Sequence, residues 1–152
     1  MVNIIHRIGI MSPVSEVYKV LSSAEGISKW WTQNTSGTSE VGTIMGVQFH
    51  SPEGDEVGNM EMIIKALEPG KKIHWYFTAG PDEWIDTEVV FNLYEEGDYT
   101  IVLFEHKNWK KAVEFTAHCS MKWAVFLLSL KELVETGTGK PSPWDIKIDN
   151  WN

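Results

Sequence analysis

The sequence predicts an α+β domain in which a curved antiparallel sheet of about six or seven strands wraps one long C-terminal helix, with two short helices after the first strand. Three observations predict this. The chain ends on a long amphipathic helical run. Ahead of that run lies a regular series of strand-like segments separated by turn-rich breaks. Between the first strand-like segment and the others sits a break that carries helix-start signals.

The first strand spans residues 2–11, where Ile4, His6, Ile8 and Ile10 alternate onto one face. Ser12-Pro13 then reads as a helix start, with Ser12 as N-cap, Pro13 at the first helical position and Glu16 near the positive end. Val14, Val17, Tyr18 and Leu21 follow at helical spacing, and Ser23 caps a second short helix carrying Ile27, Trp30 and Trp31. Strand-like runs occupy 42–50, 57–68, 72–79, 85–94 and 99–107. Their separators hold Pro52-Glu53-Gly54, Pro69-Gly70, Gly80-Pro81-Asp82 and Glu96-Gly97-Asp98. No helical period intrudes, so the meander is antiparallel. Gly42, Gly46, Gly54 and Gly58 are candidates for bending it. The long helix covers about residues 112–135, with Phe115, Cys119, Trp123, Phe126, Leu127, Leu130 and Val134 on one face. At ~1.5 Å per residue it runs about 36 Å, enough to cross a small domain. Gly137 stops it, and residues 137–152 read as a tail pinned at Trp144 and Ile146.

At 152 residues the chain is one domain by size, long enough to bury a core with no disulfide or metal. A net charge of −8 argues against nucleic acid, whose binding requires neutralising phosphates, and against a polybasic membrane anchor. No stretch has the apolar length of a membrane span or a signal peptide, so the expectation is a cytoplasmic protein without membrane insertion. Cys119 is the one cysteine, which rules out a disulfide within the chain; amid Phe115 and Trp123 it reads as a small buried hydrophobe. The five histidines show no metal-ligand spacing, and nucleophile-elbow, phosphate-loop and dinucleotide motifs are missing. The sequence implies no cofactor and no metal. Eight tryptophans, with six Phe and four Tyr, supply stiff amphipathic walls for a large core or an aromatic-lined cavity.

Four segments carry a family resemblance. They are Ser12-Pro13-Val14-Ser15-Glu16-Val17-Tyr18-Lys19-Val20-Leu21, Ile27-Ser28-Lys29-Trp30-Trp31, Leu67-Glu68-Pro69-Gly70-Lys71-Lys72-Ile73 and Trp123-Ala124-Val125-Phe126-Leu127-Leu128-Ser129-Leu130. In this order they resemble the SRPBCC superfamily, over about residues 3–136, and within it the branch named for the activator of heat-shock-protein ATPase. Lys122 departs from that pattern, standing where Gly is usual. The resemblance implies the helix-grip fold shared by START lipid-transfer domains, pollen-allergen-like proteins and polyketide cyclases. It implies a pocket between the concave sheet face and the long helix. It does not single out a function, because this scaffold hosts carriers, enzymes and regulators.

Strand alternation then nominates the residues facing that pocket. Trp75 and Phe77 share a face, against His74, Tyr76 and Thr78; Val89 and Phe91 share one with Leu93; Val102 and Phe104 share one with His106. Met60 and Met62 offer adaptable walls, Trp30 and Trp31 lie over the mouth, and Cys119 and Trp123 face inward from the long helix. Trp84, beside Asp82 and Glu83, is the candidate for a gate or a partner contact. His106 is the first choice for a polar group, either hydrogen-bonding a ligand oxygen or acting as an acid–base group near neutral pH, against the plainer reading of a structural histidine. His6 projects inward with a weaker claim; His118 sits on a helix flank; His50 and His74 are placed on the solvent side.

Three functions follow. The first is a binding protein for a small hydrophobic or amphipathic molecule, lipid-like or aromatic. The second is a cyclase- or hydrolase-type enzyme in the same cavity, which needs a further polar group such as His6, Tyr76, Glu88 or Glu105 beside His106. The third is a co-chaperone-like protein-interaction module using the outer surface. A homodimer is an open alternative for the partner.

Overall fold

The computed structural model describes residues 1–151. Strand β1 (Val2–Ile10) is followed by helices α1 (Val14–Leu21) and α2 (Ala24–Ile27). Six further strands come next: β2 (Asn34–Gly37), β3 (Ile44–His50), β4 (Glu56–Glu68), β5 (Lys72–Ala79), β6 (Glu88–Glu96) and β7 (Tyr99–Trp109). Helix α3 (Glu114–Thr136) ends the architecture. The strands form one seven-stranded antiparallel sheet in the order β1-β7-β6-β5-β4-β3-β2. This is the helix-grip arrangement that the sequence implies.

Alternation decides the core. Met45 and Val47, Met60 to Ile64, Ile73 to Phe77, Val89 to Leu93 and Val102 to His106 turn their buried positions toward α3 at every second residue. Helix α3 returns Cys119, Trp123, Phe126, Leu127 and Leu130, while Phe115 and Val134 are half-buried at the ends of that face. The edge-on contacts of Phe91 with Trp30, Trp75 and Phe104, at 5.2 to 6.1 Å, lock the middle of the sheet to the α1–α2 segment.

Curvature comes from bulges more than from glycines. One extra residue stands in β4 at Lys65, between the pairs Ile64↔Trp75 and Ala66↔His74, and one in β5 at Thr78. A third interrupts β4 at Val57, next to Gly58, the one expected glycine that stands at a bend within the sheet. Gly46 pairs regularly with Glu61, and Gly42 and Gly54 sit at φ 87° and 96° in the loops flanking β3.

Several expectations are corrected. Strand β2 was not anticipated, because Asn34-Thr35-Ser36-Gly37 has no apolar alternation. Strand β6 starts at Glu88 instead of 85, because Asp86 takes φ 69° and its N–H closes back onto the Phe77 carbonyl at 3.0 Å. Pro13, not Ser12, occupies the N-cap of α1; the Ser12 carbonyl instead accepts from Thr100 Oγ1 at 2.7 Å. Ser23 does cap α2 through the Gly26 N–H, and Gly137 ends α3 at φ 93°. Trp144 and Ile146 are exposed and do not bury the tail. It is held at Ser142, which bonds Trp31 and Gln33, and by residues paired with α3.

Candidate functional site

Trp30, Trp31, Trp75, Trp84 and Trp123 fill the space between sheet and helix, and an accessible cleft of about 390 Å³ opens at one end of that space. Four segments meet there. They are the β3–β4 turn (Phe49 to Glu53, Val57, Gly58), the β5–β6 loop (Pro81, Trp84), the N-terminal half of α3 and the tail (Ser142 to Trp151). Trp31, Met60, Trp84, Cys119, Trp123 and Phe126 form the apolar floor. Trp84 stacks on Trp123 at 6.0 Å, and Trp123 lies 5.0 Å from Trp31, so the floor is one continuous aromatic surface.

The rim is polar and internally paired. Lys122, from α3, holds the nearly buried Asp145 of the tail, and its ammonium lies 4.9 Å over the Phe126 ring. His118 Nδ1–H donates to Asp149 Oδ2 at 2.7 Å, which pulls the Asp149 carboxyl below its ordinary range, while Phe115 and Trp151 flank the imidazole. Asn34 Nδ2 donates to His50 Nδ1 at 3.0 Å. Both ion pairs tie tail to helix, so the tail is a wall of the cleft.

Behind the floor lies His106. It is fully buried, and both ring nitrogens are engaged. Trp123 Nε1–H donates to Nδ1 at 3.1 Å, which leaves the proton on Nε2; that N–H donates to Thr87 Oγ1 at 2.8 Å, and the Thr87 hydroxyl donates to the Trp84 carbonyl at 2.5 Å. Burial lowers the His106 pKa to about 3, so the ring is neutral at pH 7. The acid–base expectation for His106 is therefore corrected: it is a structural histidine joining two of the floor's three tryptophans, Trp123 and Trp84.

Of the expected cavity residues, Trp31, Met60, Trp84, Cys119 and Trp123 border the cleft. Met62, Trp75, Phe77, Val89, Phe91, Val102 and Phe104 are on the anticipated side of the sheet, and Trp30 stands in the turn after α2, which ends at Ile27 and carries neither Trp30 nor Trp31. All eight, Trp30 included, are packed in the core and do not border the cleft. Trp30 is no lid: it is wholly buried, with Nε1 donating to the Val20 carbonyl at 3.0 Å. Trp84 is only 5% exposed, which excludes it as an outer-surface partner contact. Of the further polar groups anticipated beside His106, Glu105 precedes it on β7 and so faces the other side of the sheet, and the other three are used elsewhere. His6 bonds the Ser120 carbonyl, Tyr76 donates to Asp86, and Glu88 accepts from His74 and Asn108. His50 and His74 are half-buried and paired, not free in solvent. The rim residues of the β3–β4 turn and the tail were missed, since neither segment carries a periodic pattern; the basic and acidic side chains at Lys122, Asp145 and Asp149 were the only trace of them.

Burial pushes the Cys119 thiol up to about 12, so at neutral pH it is not the thiolate that nucleophilic chemistry needs. Among the described residues, no three His, Cys, Asp or Glu side chains come together as a metal site would require. Nor, among those residues, is any helix long and apolar enough to cross a membrane. The arrangement suits holding an apolar body against the floor with its polar end at the rim.

A family model described as activator of Hsp90 ATPase homolog 1-like protein matches residues 11–135. Among solved structures, the Aha1 dimer from Colwellia psychrerythraea is 40% identical with a TM-score of 0.77, over 91% of this chain and 100% of that one. SSP2350 from Staphylococcus saprophyticus is 17% identical, TM-score 0.73, over 93% and 98% of the two chains. CalU16 from Micromonospora echinospora is 23% identical, TM-score 0.72, over 93% of this chain and 77% of that one. The last two show likeness of fold. Among curated proteins, none matches the chain.

Proposed function

Since the chain belongs to the activator of Hsp90 ATPase homolog 1-like family, we propose that it binds a small hydrophobic or amphipathic molecule in the cleft at the N-terminal end of α3. One observation carries this reading. The cleft's continuous floor of Trp31, Trp84 and Trp123 meets a rim of paired charges, within a volume in the ordinary range for small-molecule sites. A lipid-like or aromatic body would lie on the indole faces and keep its polar end near Lys122 and His118. Titration with 1-anilinonaphthalene-8-sulfonate and with a long-chain fatty acid tests it, read by tryptophan fluorescence and by native mass spectrometry. Cys119→Leu adds bulk at the floor and should weaken binding at least fivefold in a protein that still folds. Equal affinity in that folded variant, or no binding of either probe, overturns the cleft as the site.

A second reading, that two copies of the chain assemble, is favoured by the Colwellia relative, which is a dimer. It is compatible with the first, because the cleft is built within one chain.

A further inference from the structure

A helix lying on a sheet ordinarily shows solvent a polar face. The outward face of α3 does not. Ala117, Met121, Ala124, Val125 and Leu128 recur there at steps of three and four, with Met121 and Leu128 56% and 57% exposed. The helix is thus apolar on both sides through its middle three turns. Lys122, on the neighbouring cleft-side flank of the helix, holds Asp145 of the tail. Among the described residues nothing covers Met121 and Leu128, and Ala117 and Ala124 leave room for a second backbone to approach closely.

We infer that this face is the contact between two copies of the chain, α3 packing antiparallel on α3 about a two-fold axis near residues 122 and 123. This rests on the assembly reading above. Two features of the helix select a second copy. The apolar run from Ala117 to Leu128 is centred on that axis, so Ala117 of one copy meets Leu128 of the other and Met121 meets Ala124. The ends differ in charge: Lys110 and Lys111 precede the helix, with Glu114 in its first turn, while Glu132 and Glu135 close it, with Lys140 and Lys131 as their partners within the chain. Antiparallel pairing sets Lys110 of one copy against Glu135 of the other and Glu114 against Lys131, and it opposes the two helix dipoles. A parallel pairing would set like ends together.

The experiment is light scattering and sedimentation across protein concentrations, on the native chain and on Met121→Glu/Leu128→Glu. Both positions are exposed and glutamate is a good helix former, so circular dichroism should be unchanged and the variant should still melt cooperatively, lower only by the stability that association adds. The expected result is a native dimer and a variant whose dissociation constant rises at least tenfold, with probe binding in the cleft retained. A charge-swapped mixture gives the register: Lys110→Glu/Lys111→Glu should associate better with Glu132→Lys/Glu135→Lys than either does with itself. A native chain that stays monomeric at every concentration fails the assembly reading itself. A dimer that survives Met121→Glu/Leu128→Glu but breaks on Ile5→Glu/Leu103→Glu, at exposed apolar positions on the outer face of β1 and β7, keeps assembly and overturns this interface.

Discussion

The core around Phe91 and the cleft beside Trp84 are made of the same material and behave differently. In the core, Trp30, Trp75, Phe91 and Phe104 meet edge to face and are covered on every side. In the cleft, Trp31, Trp84 and Trp123 are packed just as closely, yet one side of the surface they make borders open space. Ring content does not distinguish the two. What differs is the cover: α1 and α2 close the first region with apolar side chains, while the β3–β4 turn and the tail frame the second with charged ones. An aromatic cluster becomes a binding surface here because its last layer is polar chain that leaves a gap.

Three substitutions would sharpen that contrast. Phe91→Ala should cost about 3–5 kcal/mol by the usual large-to-small penalty in a packed core, measured by urea denaturation, with affinity for cleft probes nearly unchanged in the folded fraction. A loss near 1 kcal/mol would mean that the core is as loosely covered as the cleft. His106→Leu comes next. It strands the Trp123 indole N–H, a cost of roughly 1–3 kcal/mol at pH 7. Its pH dependence is more telling. With a folded pKa of about 3 against an ordinary value of 6.5, the native histidine excludes a proton that the unfolded chain accepts. The native protein therefore keeps its full stability above pH 6.5 and loses on the order of 5 kcal/mol as pH falls from there toward 3. The variant lacks this loss, so its deficit should shrink on acidification and then reverse. A deficit constant between pH 7 and 4 would show that His106 is not held neutral. The smallest effect belongs to the rim. His118→Phe keeps an aromatic ring between Phe115 and Trp151 but gives up the bond to Asp149. It should cost less than about 1 kcal/mol of global stability, while proteolysis of the tail after residue 141 quickens. Unchanged proteolysis would mean that Ser142 and Asp145 alone fix that wall.

Which strand residues share a face was legible because period-two alternation reports it directly: Trp75 with Phe77, Val89 with Phe91 and Val102 with Phe104 do so. Which face turns inward was not legible on β6 and β7, where Val90, Ile101 and Leu103 make the other face apolar too. Strand β2 was not legible, since Asn34 to Gly37 is polar on both faces and is held by backbone pairing to β3. The cleft was only half legible. Alternation tells which side of the sheet a residue faces, not whether a distant segment seals it. The segments that leave the gap, 50–58 and 142–151, have no periodicity to read. His106 shows a second limit: its position was placed correctly, but its chemistry depends on Thr87 and Trp123, which no local pattern ties to it.

The hydrogen-bonded chain Trp123–His106–Thr87–Trp84 has a mechanical consequence. It fastens the helix side of the cleft to the β5–β6 loop, so those two walls form a fixed jaw, braced from behind by the sheet. The facing jaw is the β3–β4 turn and the tail, which the rim pairs and the backbone bonds at Ser142 hold but, among the described residues, no buried side-chain chain of this kind braces. Any adjustment to a larger or smaller guest falls to that second jaw, as in a vice where only one plate slides.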